Sequence, residues 1–270
     1  MYLHHAVRTA MRTVTYCTNS TITEAWGIVL GLPGELDAEE VGALAYFGRK
    51  RYGPFEQVPS VVLVQRPAVG PVPPFWQHQL TWDHGRLLAR LGHRYLSVHF
   101  LQQGDSRYHT YETSLQPAMR GWLETYDETL LGPPEHYPLD RVGFGYVNTF
   151  HFPASGFDLS TYFRVSLGIG VQTADKGLLA LETNFRLFDT ARSADVIVNV
   201  SVHTGGEEDL QLQVQTKIVA ERRSAEEGSL KDHARILAEL VRAKEAAKAM
   251  FFDLATDETH HLMGAQYASD

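Results

Sequence analysis

Thirteen histidines in 270 residues are a large supply of side chains that can bind metal ions or move protons near neutral pH. Two pairs are adjacent, His4-His5 and His260-His261. Neighbours on a helix point ~100° apart, so neither pair is well placed to aim both rings at one ion; His260 and His261 read as surface or helix-end packing, and His4 and His5 lie before a second possible start at Met11. The better combination is His151 with His203, each in a strand-like stretch of the second half. Glu182 and Asp158 are the carboxylates that could join them as general acid-base residues or metal ligands. No complete metal-ligand set is expected, and no cofactor. The phosphate loop, GxGxxG after a strand, HExxH and GxSxG are all missing from the sequence. Gly143-Phe144-Gly145 lies in a strand with no third glycine, which points to close backbone packing. Cys17 has no basic cluster beside it to lower its pKa and reads as a structural residue. The members of a serine triad are distant in a chain, and no serine stands out as one.

A second kind of chemistry is recognition by amides. Glu182, Asn184 and Arg186, then Asn199, Ser201 and His203, then Gln211, Gln213, Gln215 and Lys217 each alternate with apolar residues. Three such strands side by side make one sheet face almost wholly polar. Such a face is either the solvated side of a half-covered antiparallel sheet or a shallow binding surface, and on the second reading Asn184, Arg186, Asn199, Ser201, Gln211, Gln213 and Gln215 are the expected binding residues. They could exchange hydrogen bonds with a peptide or another protein but carry little charge for acid-base work. The expected function is a non-catalytic protein- or peptide-binding accessory protein that uses the polar face of the second sheet. The alternative is an enzyme, metal-dependent in one version, with His151, His203, Glu182 and Asp158 in a cleft between two halves. Trp76, Trp82, Tyr95, Phe100 and Tyr108 are expected in the core.

The elements that must position these residues fall on either side of Gly132-Pro133-Pro134-Glu135-His136-Tyr137-Pro138, where three prolines forbid regular structure. That gives an N-terminal extension over residues 1–21, a first half over 22–132 and a second half over 139–264. In the first half the pattern predicts strands over 22–30, 60–66, 77–83, 86–91 and 94–102. A helix after Asp37 ends in Arg49-Lys50-Arg51, and an aromatic helix covers about 111–130 with Pro117 in its first turn. Asp83-His84-Gly85 is the tightest hairpin signal. The proline-rich stretch 67–74 reads as a stiff connector. In the second half Val142 to Phe152 is a strand with one aromatic face, on which Asn148 is expected as a buried, satisfied amide. A helical turn at 158–163 follows, then strands over 179–188, 196–203 and 210–219, the last two a hairpin. Ser229 and Asp232 then cap a long helix. The fold class is α+β: two antiparallel sheets, each covered by a long helix, their shared order of elements hinting at an internal duplication.

Composition narrows the partners. A formal net charge of −8 argues against a nucleic-acid binder, whose counterion release needs a basic surface; Arg49, Lys50, Arg51, Arg222 and Arg223 are the residues such a binder would use. The apolar runs fall far short of the ~18 residues of a membrane span, so no membrane partner is expected. The single cysteine suits a reducing compartment, and the N-terminal residues do not form a secretory signal, which together predict a cytoplasmic protein. The aromatic helix could cover a sheet or a second subunit, so a homo-oligomer is open.

Several stretches resemble a sporadically distributed family of uncharacterised bacterial proteins of about this length. They are Arg86 to Leu91, Tyr95 to His99, Tyr111 to Tyr126 and Val142 to Phe150, followed by Asp158 to Phe163, Phe251 to Glu258 and Leu262-Met263-Gly264. The chain departs from many members at Ser97-Val98-His99-Phe100, where a run ending in Asn-Trp or Asn-His is more typical. The resemblance implies a bacterial, cytosolic, two-part α+β protein. It implies no activity, catalytic residue or cofactor.

Overall fold

The computed structural model describes residues 14–17, 21–31, 38–52, 60–64, 75–83, 85–91, 95–102, 113–130, 132–153, 155–165, 180–204, 211–223 and 228–267. In chain order the strands and helices are β1 (Val14–Cys17), β2 (Ile22–Gly31), α1 (Ala38–Tyr52), β3 (Ser60–Val64), β4 (Phe75–Trp82), β5 (Leu87–Leu91), β6 (Tyr95–Leu101) and α2 (Leu115–Thr129). A single 3-10 turn at Pro134–His136 leads to β7 (Leu139–Pro153), α3 (Leu159–Tyr162), β8 (Ala180–Asp189), β9 (Ala194–Thr204), β10 (Gln211–Arg223), α4 (His233–Leu254), α5 (Asp257–Leu262) and β11 (Ala265–Tyr267). The histidines His4 and His5, the stretch 67–74, Tyr108 and the connection 205–210 lie outside the described residues, as do the side chains of Cys17, Trp76 and Tyr95.

The expectation of two sheets, each under its own long helix, is overturned. Among the described residues one antiparallel sheet of nine strands runs in the order β3-β4-β5-β6-β2-β7-β10-β9-β8, and β1 pairs separately with β11. What joins the halves is the β2–β7 pair, antiparallel from Ile22↔Asn148 to Gly31↔Leu139. With β6 on the other edge of β2 and β10 on the other edge of β7, this pairing gives the buried backbone donors and acceptors of both opening strands partners on either side. The place where a cleft was expected is therefore a strand pair. In each half the opening strand lies innermost and is flanked by the last strand of its own half, from which the others step outward.

All three of the longer helices pack on one face. α4 lies against β7, β9 and β10, α2 against β2, β6, α1 and α4, and α1 against α2, β4 and β5. Phe144, Tyr146, Phe150 and Phe152 of β7 enter this layer, as do Val196, Val198, Val200 and Val202 of β9 and Leu212, Val214, Ile218 and Ala220 of β10. Asn148 is buried among them as expected. It accepts a hydrogen bond from Thr21 Oγ1 at 2.9 Å and donates to Thr216 Oγ1 at 3.5 Å.

The helices meet the sheet with residues spaced for it. Asp232 caps α4, its carboxylate accepting from the Arg235 backbone N–H at 3.1 Å. Ile236, Leu240, Ala243, Ala247, Phe251 and Leu254, at three- and four-residue steps, form its buried side. Val241 falls off that stripe and is exposed. Ser229 does not cap the helix; its hydroxyl donates to the carbonyls of Pro134 and Tyr137 and holds the turn before β7. At α1 the expected basic end is satisfied by more than the helix dipole. Arg51 reaches across to Glu124 and Glu128 of α2.

Candidate functional site

The opposite face of the sheet carries no helix among the described residues, and the polar positions of both halves collect there. Period-two alternation and the register decide this together. In β10, β9 and β8 the rows run Gln213–His203, Gln215–Ser201–Glu182, Lys217–Asn199–Asn184 and Val219–Ile197–Arg186. The expected binding residues thus come together on one face of the sheet, with Gln211 at the end of the β10 row and Ser201 buried at 6% exposure. They divide into two groups. Glu182, Asn184 and Asn199 are bonded to one another: Asn199 Nδ2 donates to Asn184 Oδ1 at 2.8 Å and to Glu182 Oε1 at 2.5 Å, and Asn184 Nδ2 donates to Glu182 Oε1 at 3.2 Å. Arg186 pairs with Asp195 at 3.1 Å. By contrast, the side chains of Gln211, Gln213 and Gln215, set two residues apart along β10, engage no hydrogen bond among the described residues.

The four residues expected to do acid-base or metal chemistry are not assembled. His151 and His203 share the face but flank Gln213 on different strands, two strand spacings or about 10 Å apart. Glu182 is taken up by the two asparagines. Asp158 is on the other side of the molecule: it caps α3, accepting from the Ser160 backbone N–H at 2.9 Å, and these bonds to Ser160 hold its carboxyl below the usual range. α3 follows β7 and packs on α5, with Tyr162 against Phe152 of the helix-covered face. No group of three or more potential metal ligands occurs among the described residues.

Where β2, β6 and β7 meet, the same face holds a cluster that the sequence reading did not find. Trp26 lies over Gly145, where a Cβ would come within 2.4 Å of the indole Cζ2, and this is the physical reason for glycine in that strand. The indole stacks on His99 with ring centres 5.7 Å apart and planes at 17°, and Lys217 Nζ stands 5.4 Å from the indole centre. His99 Nδ1 is 2.6 Å from Glu24 Oε1 and its Nε2 is 2.9 Å from Ser97 Oγ. A carboxylate only accepts, so Nδ1 carries the proton and the neutral ring accepts from the serine hydroxyl at Nε2.

Burial pushes the His99 imidazole below its ordinary value; Glu24 opposes that shift, and Arg90 and Lys217 add to it. Burial raises the Glu24 carboxyl, but the bond and charge of His99, with Arg90 and Lys217, outweigh this and hold it below the usual range. The signal in the sequence was slight: Ser97 and His99 two apart on one strand, Glu24 and Trp26 two apart on another. Only the pairing Trp26↔His99 and Trp26↔Gly145 brings them together.

Of the basic residues a nucleic-acid binder would use, Arg51 is tied to α2 and Arg222 to Glu239 of α4 at 2.5 Å. No helix among the described residues is long and apolar enough to cross a membrane. No protein-family model matches the chain, and no curated protein matches it either.

Proposed function

We propose that this protein binds another protein or a peptide through the sheet face opposite α1, α2 and α4, with Gln211, Gln213 and Gln215 of β10 as the recognition row. The observation that supports this most directly is that these three amides lie in one line on a face that carries no helix among the described residues, and engage no hydrogen bond among them. An extended ligand laid along β10 presents its own amides at the strand's period of two, so successive glutamines meet successive polar groups. Asn184, Arg186 and Asn199 form the flank of the same surface, with Ser201 buried between them and β10. The reading is of a cytoplasmic accessory protein of the bacterial family that its motifs resemble.

The test is native mass spectrometry of the full chain purified gently from its own host without chelator. A stoichiometric protein or peptide is expected. Gln213→Glu and Asn199→Lys should each weaken its binding about tenfold, or ~1.4 kcal/mol, with the melting temperature nearly unchanged. Unaltered binding in both variants excludes this surface.

A second reading has one observation in its favour, the Glu24–His99–Ser97 chain, whose bonds run in the order that lets a neutral imidazole draw a proton from a serine hydroxyl. On that reading a fluorophosphonate probe labels the wild-type protein and not Ser97→Ala. Ser97 is only 3% exposed, and a wild-type protein that stays unlabelled leaves the chain as an internal support for Trp26.

A further inference from the structure

β8 ends the sheet among the described residues, and its hydrogen bonds run only to β9. It is ten residues long, contains no proline or glycine and, among the described residues, leaves one row of backbone donors and acceptors unpaired. Its sequence around Asn184 is self-complementary when read against itself in the antiparallel sense. With Asn184 opposite Asn184, Glu182 of one strand faces Arg186 of the other, and by symmetry the reverse. On the opposite face Thr183 meets Phe185; Phe185 and Leu187 are half-buried at the margin of the core, where a further strand would cover them.

We propose that β8 is an interface with a second copy of this chain, the two β8 strands pairing antiparallel about Asn184 so that the two sheets become one. The charges choose both the partner and the register. Shifting the centre to residue 182 sets Glu182 against Glu182, and shifting it to residue 186 sets Arg186 against Arg186, each a like-charge pair that destabilises the pairing. The charged groups are free to reach across. Both amides that hold Glu182 bond to Oε1, leaving Oε2 for a new donor. Arg186 is 56% exposed and meets Asp195 through Nη2 alone, leaving Nη1 and Nε. The interface is isologous, so two Glu–Arg contacts form at once. This proposal is independent of the ligand row on β10, which stays on the face and not at the edge.

Sedimentation equilibrium of the full chain tests it. The wild-type protein is expected to dimerise. Glu182→Arg and Arg186→Glu should each weaken the dimer about tenfold or more, since each turns two attractive contacts into repulsive ones. The double variant should restore wild-type affinity to within about threefold, because it exchanges the charges and keeps the pattern. Hydrogen exchange of the wild-type chain needs no variant: protection of backbone amides in residues 181–187 should rise with protein concentration. A wild-type protein that is monomeric up to its solubility limit overturns the proposal, as do a dimer that neither single variant weakens, a double variant as weak as the singles, and exchange in β8 that ignores concentration.

Discussion

His99 sets how the protein responds to acid. In the unfolded chain it takes up a proton around its ordinary value of 6.5, whereas in the folded protein burial keeps the ring neutral to lower pH. The unfolded state therefore binds more protons as pH falls below 6.5, so the stability that His99 contributes is whole above that pH and is lost on descending toward the native value. Glu24, also depressed in the folded protein, adds a loss below its ordinary value of 4.5. Melting temperature should thus fall between pH 6.5 and 4.5, and His99→Gln should melt lower than wild type above pH 6.5 but show a shallower fall across that window. An equal slope in both proteins would place the acid sensitivity elsewhere. Gly145 makes a sharper prediction. Gly145→Val drives a branched side chain into the Trp26 indole, and the displacement should cost about 1–3 kcal/mol in denaturant unfolding. A rise in solvent exposure of Trp26 should accompany it in fluorescence.

Elements are held by caps and by ties between layers. Asp232→Ala removes the acceptor for the Arg235 N–H at the start of α4 and should cost ~1 kcal/mol in urea unfolding with no change in m-value. The tie between α4 and the sheet is Arg222–Glu239 at 2.5 Å, each side chain 14% exposed. Glu239→Gln leaves the largely buried Arg222 without its carboxylate and should destabilise the protein by more than the ~1 kcal/mol typical of an exposed pair, whereas Arg222→Met leaves Glu239 still paired with Arg242 at 2.7 Å and should cost less. The double variant should recover part of that loss, which a double-mutant cycle reads directly. The positions of most elements were legible because hydrophobic period and turn residues are local signals. The strand over 142–152 is present as Leu139–Pro153, and the helix capped by Asp232 runs His233–Leu254. One local detail went the other way: Ser229 serves the preceding turn and not the helix, because its partners, the carbonyls of Pro134 and Tyr137, come from a distant part of the chain.

Across the whole molecule the continuous sheet couples the halves. All four tryptophans lie in the first half, at positions 26, 76, 82 and 122, whereas far-ultraviolet circular dichroism reports both. Thermal unfolding followed by the two signals should coincide in a single transition; a tryptophan transition separate from the dichroism would mean that the β2–β7 pair does not bind the halves into one cooperative unit. Much about this protein is already contained in its residue order. The antiparallel α+β character, the buried Asn148, the close packing at Gly143 and Gly145 and the polar row of β8, β9 and β10 all follow from patterns within a few residues or from pairing across a short hairpin. The joining of the two halves does not, because β2 and β7 are separated by more than a hundred residues and either could have closed a sheet of its own. Which strand satisfies an open backbone edge depends on what else is folded beside it. The same holds for Glu24, Trp26, Ser97, His99 and Gly145: each is ordinary in its own strand, and the pairing of β2 with β6 and β7 turns them into a hydrogen-bonded, stacked cluster.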